Sequence, residues 1–273
     1  MPRHQILFVY VLSPSYSMAG GEFKQLFRQP DDVSIVLENT DFAVLAKPPG
    51  IETVSGDGAA DLTGLARHAL GDPALTPAHR LDRDTSGAQL FARGALAERE
   101  LTALFRRREV DKTYIAVCLG RPRNASGTIN RNLSEWSGGR RPVRVLKQGG
   151  LEATTSYRVL AASNRLPDGL AASLVAFFPH QGRTHQIRVH AAALGYPILG
   201  DDQYGDRPAN RLAATTFGLR RQALHSWRLG FAWKGGKIAA VCPLHNDLLA
   251  AAAAIARENP AGTPPGVFPP DHV

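Results

Sequence analysis

The chain has 273 residues, 44% hydrophobic and 21% charged, with a formal net charge of +8, as expected of a globular protein with a sizeable core. Its two cysteines, Cys118 and Cys242, form no C-x-x-C pair, which excludes a disulfide framework or a thiolate metal site and favours a reducing, cytoplasmic compartment. No apolar run approaches the roughly 20 residues that span a membrane, and the basic charge favours a polyanionic partner such as nucleic acid.

Residues 1–30 are expected to be an N-terminal extension outside the folded domain. Their apolar stretch, residues 6–12, resembles a short signal peptide, but no small-x-small cleavage site follows it. Met18 is the only other methionine, and the globular pattern begins shortly after it, so Met18 is an alternative start. A native peptide covering residues 5–15 in mass spectrometry would refute that hypothesis.

The first half of the domain is predicted to contain short strands and two helices. Strands are expected over residues 33–37, 42–46, 88–92 and 114–119. Asp61 is the expected N-cap of a helix that ends near Leu70. A second helix is expected over residues 95–108, because three apolar side chains recur there on one helical face.

The second half is predicted to begin with loops and hairpins in the Gly-rich stretch 121–150. Paired strands are expected over 154–161 and 171–178, a helix over 185–194, strands over 224–227 and 238–242, and a helix over 248–257. Residues 259–273 contain five prolines and are expected to be a disordered tail. Locally paired strands with scattered helices predict an α+β catalytic domain over residues 31–258.

Basic residues are concentrated in one fifth of the chain. Residues 101–150 hold eleven Lys and Arg against three Asp and Glu, an excess equal to the net charge of the whole protein. Such a patch is typical of nucleic-acid binding, but a solvated basic face has the same composition. Charge alone leaves these two readings open.

Residues 79–87 read His-Arg-Leu-Asp-Arg-Asp-Thr-Ser-Gly and form the most charged motif of the chain. Two carboxylates, two arginines and a histidine are costly to bury unless each group finds a partner. The motif therefore predicts a loop at the lip of a cleft, with Asp82 as the candidate catalytic carboxylate and Asp84 as the alternative.

This motif resembles the signature of the RluA-type pseudouridine synthases. Three more stretches resemble motifs of that family in the same order, and they are Lys47-Pro48-Pro49-Gly50, residues 108–114 and residues 182–190. The resemblance covers about residues 33–250. It implies the pseudouridine synthase fold, with a mixed, mostly antiparallel central sheet flanked by helices and loops and an active-site cleft across the sheet.

The resemblance implies an isomerase that breaks the N-glycosidic bond of a uridine in RNA and rejoins the ribose to carbon 5 of the base. No metal and no cofactor are expected. The expected partner is large-subunit ribosomal RNA or transfer RNA, with no membrane, no obligate protein partner and a monomeric state. The alternative function is an RNA-binding or ribosome-assembly protein with vestigial catalysis.

Three catalytic residues follow from the resemblance. Asp82 is expected to do the chemistry, and Arg188 to pair with it, because a guanidinium favours the ionised carboxylate and fixes its orientation. Tyr114 is expected to pack on the target base, a task that suits its flat, amphipathic ring. Whether the aspartate attacks the base or the ribose is left open.

The residues expected to contact RNA are Arg80, Arg183, His79, Arg140 and Arg141. Arg80 matches the family arginine that fills the gap left by the flipped nucleotide, and flipping costs a few kcal/mol. Phosphate contacts from the basic region could offset that cost. His185 and His190 are five residues apart, do not share a helical face and are interpreted as structural.

Overall fold

The computed structural model describes residues 33–257, except residues 57, 139–140 and 165. The predicted N-terminal extension, the Pro-rich tail and Arg140 therefore lie outside the described residues. Across the part that is described, no helix combines the length and the apolar character needed to cross a membrane.

The strands are β1 Ser34–Glu38, β2 Phe42–Lys47, β3 Leu75–Pro77, β4 Ser86–Arg93, β5 Asp111–Leu119, β6 Ser126–Asn130, β7 Thr154–Ser163, β8 Ala172–Pro179, β9 Leu224–Trp233 and β10 Gly236–Val241. The helices are α1 Leu62–Leu70, α2 Ala95–Arg107, α3 Gln186–Ala193, α4 Arg207–Phe217 and α5 Asn246–Arg257.

Within the described ranges these ten strands form one sheet in the order β1-β2-β4-β9-β5-β8-β7-β6, with β3 added to β4 and β10 to β9. Every pairing is antiparallel except that of β4 with β9, where Ser86 lies opposite His225 and Gly87 opposite Ser226. The predicted α+β class with a mixed, mostly antiparallel sheet is confirmed.

Local capping signals set the helix boundaries that the sequence predicted. The Asp61 carboxylate accepts a hydrogen bond from the Gly64 amide at 2.7 Å and so caps α1 at its N-terminus. Gly71 ends α1 in the left-handed conformation, and Arg108 ends α2 in the same way with φ of 62°. Both predicted helices in the first half of the domain are confirmed.

Strands β3 and β6 and helix α4 were not predicted as separate elements, and β9 is longer than the predicted strand 224–227. Strand β3 has only three residues, ends in a proline and pairs with β4 alone, so it gives too short a hydrophobic pattern to recognise. Helix α4 does carry recognisable signals. Asp206 caps its N-terminus, Pro208 lies in its first turn and Gly218 follows its end.

Two large hydrophobic clusters pack on the sheet and meet at β9. The first contains side chains from β5, β7 and β8 under α3, α4 and α5, and β9 contributes Leu224 to it. The second contains side chains from β2, β4 and α2, and β9 contributes Leu229. The polar residues described below lie where β4, β9 and β5 come together, between these two clusters.

Gly87 lies at the short parallel pairing of β4 with β9 and is expected to tolerate no side chain. Its φ is 114°, and an added Cβ would collide with the backbone of Ser226. Gly87→Ala should therefore lower the free energy of unfolding in urea by about 3 kcal/mol or more. The matched control is Gly71→Ala, where φ is 60° and no atom lies within 4 Å, and it should cost only about 1 kcal/mol. Equal losses in the two variants would contradict the close approach at Gly87.

Candidate active site

Four segments converge at the junction of β4, β9 and β5. The Asp82 loop, defined as residues 79–85, enters β4. Tyr114 lies on β5, and Arg188 lies on α3. The segment 200–205 follows α3 and brings Asp201 and Tyr204 to the same place.

Arg188 joins two carboxylates that are far apart in the chain. Its Nε and Nη2 donate to the two oxygens of Asp201 at 2.7 and 2.9 Å, and its Nη1 donates to Oδ2 of Asp82 at 3.2 Å. The side chains of Asp201, Arg188 and Asp82 are 0%, 10% and 27% exposed. The planar guanidinium is therefore fixed from its buried side, and Asp82 is the carboxylate that stays partly exposed.

Asp201 is held as an anion although its side chain is buried. Burial by itself would raise its pKa, but hydrogen bonds from Arg188 and from the amides of Tyr204 and Gln203 lower the pKa below the ordinary value. Those amides donate to Oδ1 of Asp201 at 3.0 and 2.9 Å. Asp201 is thus a positioning group for Arg188, and the sequence analysis did not assign it any role.

Tyr204 and His185 also lie next to the Arg188–Asp82 pair. The Arg188 guanidinium lies 5.1 Å from the centre of the Tyr204 ring, in a cation–π arrangement. Oη of Tyr204 accepts a hydrogen bond from the Val143 amide at 3.0 Å and lies 2.9 Å from Nδ1 of His185. The other ring nitrogen of His185 is 4.0 Å from Oδ2 of Asp82.

His185, interpreted from the sequence as structural, has its ring next to the Asp82 carboxylate, and its structural role stays a prediction. Its backbone is left-handed, with φ of 58°, which is uncommon for a residue with a Cβ and is typical of functional sites. Burial lowers the pKa of His185, although the Asp82 charge opposes that shift. The interpretation of His190 as structural is confirmed, since Nε2 donates to the Arg131 carbonyl and Nδ1 accepts from Thr155.

Tyr114 lies opposite Ser226 of β9, beside the Asp82 loop. Burial raises the pKa of the Tyr114 phenol well above its ordinary value, and the Asp82 charge raises it further. A hydrogen bond with Ser226 opposes these effects without cancelling them. Tyr114 therefore presents a neutral aromatic ring near the candidate carboxylate.

Lys47, which is buried, and Arg221, which is partly buried, hold the backbone of the Asp82 loop. The Lys47 ammonium donates to the carbonyls of Pro48, Arg83 and Thr85 at 2.9, 2.7 and 2.9 Å. Burial lowers the pKa of Lys47 to about 7, while the charge of Asp84 favours the protonated form. From the opposite side, Arg221 donates to the Asp84 carbonyl at 2.9 Å. The sequence analysis assigned no role to either cation.

A series of hydrogen-bonded polar side chains runs from Arg221 into the core. Arg221 pairs with both oxygens of Asp247, and its Nη2 donates to Oγ of Ser86 at 3.0 Å. Oγ of Ser86 lies 2.9 Å from Nδ1 of His225, and Nε2 of His225 donates to the Cys242 carbonyl at 3.2 Å. Since Nε2 carries the proton of the neutral ring, Nδ1 accepts from the Ser86 hydroxyl.

His225 should make the protein less stable in mild acid. Burial lowers its pKa from 6.5 to about 4, so the unfolded chain binds one more proton than the folded chain between these two values. Its stabilising contribution is complete above pH 6.5 and is lost as the pH falls towards 4, with a limiting slope of about 1.4 kcal/mol per pH unit. His225→Asn should reduce the slope of the free energy of unfolding against pH by that amount, while the contributions of other buried histidines such as His79 remain. The control His68→Asn changes an exposed side chain on α1 and should keep the full slope. A slope unchanged in His225→Asn would contradict the assignment.

The residues predicted to contact RNA occupy different environments. Arg80 and Arg141 are exposed, and Arg183 is half-buried with its Nε donating to the Glu152 carbonyl at 3.2 Å. RNA contact by these arginines stays a prediction, as it does for Arg140, which lies outside the described residues.

The ring and the carbonyl of His79 both contact other residues of the protein. Its ring stacks on Phe105 at 4.5 Å, its Nε2 accepts from the Leu90 amide at 3.1 Å, and its carbonyl accepts from Nε2 of Gln89. Burial lowers its pKa to about 3, and the nearby Lys112 charge acts in the same direction. These contacts make His79 a support of the Asp82 loop, and its contact with RNA stays a prediction.

Comparisons with known proteins find a matching family, similar sequences and similar folds. Residues 41–193 match the family model described as RNA pseudouridylate synthase. The chain is 37% identical over 199 residues to the ribosomal large subunit pseudouridine synthase C of Vibrio vulnificus (strain CMCP6), in a match that covers 72% of this chain and 60% of that protein. The chain thus spans less than two thirds of that relative.

A second relative is matched over more of its length. The dual-specificity RNA pseudouridine synthase RluA of Pasteurella multocida (strain Pm70) is 36% identical over 201 residues, which cover 73% of this chain and 86% of that protein. Among solved structures, human RNA pseudouridylate synthase domain containing 1 has a TM-score of 0.67 at 25% identity, over 91% of this chain and 93% of that chain.

Proposed function

The chain belongs to the RNA pseudouridylate synthase family, whose members are isomerases, and we propose that it converts uridine to pseudouridine in large-subunit ribosomal RNA or transfer RNA. The observation that carries the proposal is the Asp82 carboxylate. It is partly exposed and is oriented by an arginine that a buried aspartate neutralises.

The reaction rearranges one nucleotide without adding or removing atoms. The bond between N1 of the base and C1′ of the ribose breaks, and a bond between C5 and C1′ forms. The C5 hydrogen leaves as a proton, and N1 takes up a proton. The role of Asp82 is that of an ionised nucleophile, at either the ribose or the base, so its orientation by Arg188 at 3.2 Å is the main requirement.

Tyr114 and the Asp82 loop are proposed to form the pocket for the flipped base. A neutral phenol ring offers an apolar face for a base that has left its stack. Arg80, exposed on the Asp82 loop, is proposed to occupy the gap that the base leaves in the RNA. The Arg-rich segment 101–150 supports the binding of a polyanion.

We further infer that the protein acts as a monomer in the cytoplasm, without an obligate protein partner. A single chain supplies Asp82, Arg188 and Tyr114 to one site. Both cysteines are free and buried, as is common for proteins of a reducing compartment.

Release of tritium tests the proposed reaction, because only bond formation at C5 displaces the hydrogen there. Large-subunit ribosomal RNA and bulk transfer RNA labelled with [5-³H]uridine are prepared from a strain that lacks the gene. The purified protein should release tritium from one of these RNAs up to a fixed number of sites per molecule. Binding of both RNAs without any release would overturn the proposal and would favour the RNA-binding protein with vestigial catalysis.

A further inference from the structure

A small hairpin rises beside the candidate active site. We define the Trp136 hairpin by its two described arms, residues 132–138 and 141–146. Its two arms are joined by hydrogen bonds from the Ser134 amide to the Arg144 carbonyl and from the Leu146 amide to the Asn132 carbonyl, each 2.9 Å long. Trp136 lies on the first arm, two residues after Ser134.

The base of the hairpin is fixed to the site. Leu133 and Val143 are buried in one cluster with Val189, the residue that follows Arg188 on α3. The Val143 amide donates to the Tyr204 hydroxyl, whose ring covers the Arg188 guanidinium. The base of the hairpin therefore packs against Val189 and Tyr204, the neighbours of the arginine that orients Asp82.

Trp136 is an exposed aromatic residue on this hairpin, with 52% of its surface accessible. The other two tryptophans of the chain are packed against the core, since Trp233 is 9% exposed and stacks edge-on against Phe42, and Trp227 packs on the larger cluster. Single exposed apolar side chains are common, but an exposed indole offers a flat face on which a planar ligand can stack.

The exposed charges in and beside the hairpin indicate which class of ligand it binds. Arg131, Arg141, Arg144 and Lys147 are exposed in or beside the hairpin. Glu135 is the only acidic residue between positions 131 and 150. An aromatic ring among arginines suits single-stranded RNA, because bases stack on the ring while guanidinium groups bind the phosphates.

We propose that Trp136 stacks on a nucleobase next to the target uridine, while Arg141 and Arg144 bind adjacent phosphates. This inference rests on the proposed function, because it names the part of the RNA that the site holds beyond the flipped base. The hairpin acts as a second binding point that presents the target strand to Asp82.

Tritium release kinetics test the inference with three variants. Trp136→Ala should raise KM for the RNA substrate roughly 5- to 100-fold, the range expected for one lost stacking contact, and should leave kcat within twofold. Trp136→Phe keeps a stacking ring and should recover most of the affinity. Leu96→Ala removes an exposed apolar side chain on α2, which is 64% exposed, and should leave KM unchanged.

Fluorescence reports the contact without requiring turnover. Oligouridylate should quench the emission of the wild-type protein, and Trp136→Phe should abolish that quenching. If the wild-type protein releases tritium and Trp136→Ala has an unchanged KM, this inference is wrong and the proposed function stands. If the wild-type protein releases no tritium, the proposed function fails, and loss of quenching in Trp136→Phe still supports an RNA contact at Trp136.

Discussion

Asp82→Asn is expected to lower the rate of tritium release by at least about 1,000-fold, because it removes the ionised carboxylate and keeps its shape. The amide oxygen can still accept the hydrogen bond from Nη1 of Arg188, which is 3.2 Å long in the wild-type protein. The free energy of unfolding should therefore change by no more than about 1 kcal/mol. The affinity for RNA should also be retained.

The matched control is Asp84→Asn, two residues further along the same loop. Its carbonyl, rather than its carboxylate, is held by Arg221, and the substitution leaves that bond in place. We expect activity within a few-fold of the wild-type value. If Asp84→Asn is inactive and Asp82→Asn is active, the two carboxylates have been assigned in the wrong order.

Arg188→Met is expected to have the second large effect, on stability as well as on activity. It leaves the Asp201 carboxylate, whose side chain is 0% exposed, without its cation. Removing one partner of a buried ion pair costs about 3–5 kcal/mol. Loss of the orienting contact should also lower tritium release by at least about 100-fold. Urea unfolding and tritium release measure the two effects.

A more exposed group of three charged side chains provides the control for stability. Arg93 binds Glu38 and Asp72, and these three side chains are 21%, 45% and 20% exposed. Arg93→Met should therefore cost only about 0–1 kcal/mol. A similar loss in Arg93→Met and Arg188→Met would contradict the view that the unpaired Asp201 charge causes the large effect.

The double variant Arg188→Met with Asp201→Asn separates stability from chemistry. The neutral amide removes the uncompensated buried charge, so at least half of the lost stability should return. Activity should stay low, because Asp82 still lacks its orienting arginine. Recovery of activity together with stability would show that Arg188 only supports the fold.

Local signals in the sequence predicted much of the fold. The bounds of α1 follow from the Asp61 cap, and the antiparallel pairing of β7 with β8 follows from two apolar runs around a short turn. Such features depend on neighbours in the chain. The Arg188–Asp82 contact, 106 residues apart in the chain, was expected only through the family resemblance.

The residues that support the site could not be predicted in this way. Lys47 reads as the end of a strand before two prolines, and nothing in its own segment shows that its ammonium will bind the carbonyls of residues 83 and 85. Arg221 donates to the carbonyl of Asp84, which lies 137 residues earlier in the chain. Lys47 reaches the loop because β2 pairs with β4, and Arg221 reaches it because β4 lies beside β9. Both placements are properties of the whole topology.

Pseudouridine mapping in cells tests the central claim most directly. RNA is sequenced for pseudouridine from a strain that lacks the gene, from the same strain with the wild-type gene restored, and from the strain with Asp82→Ala. The account predicts that deletion removes pseudouridine at one or more uridines of ribosomal or transfer RNA, and that only the wild-type gene restores it. Full restoration by Asp82→Ala would contradict the catalytic role of Asp82.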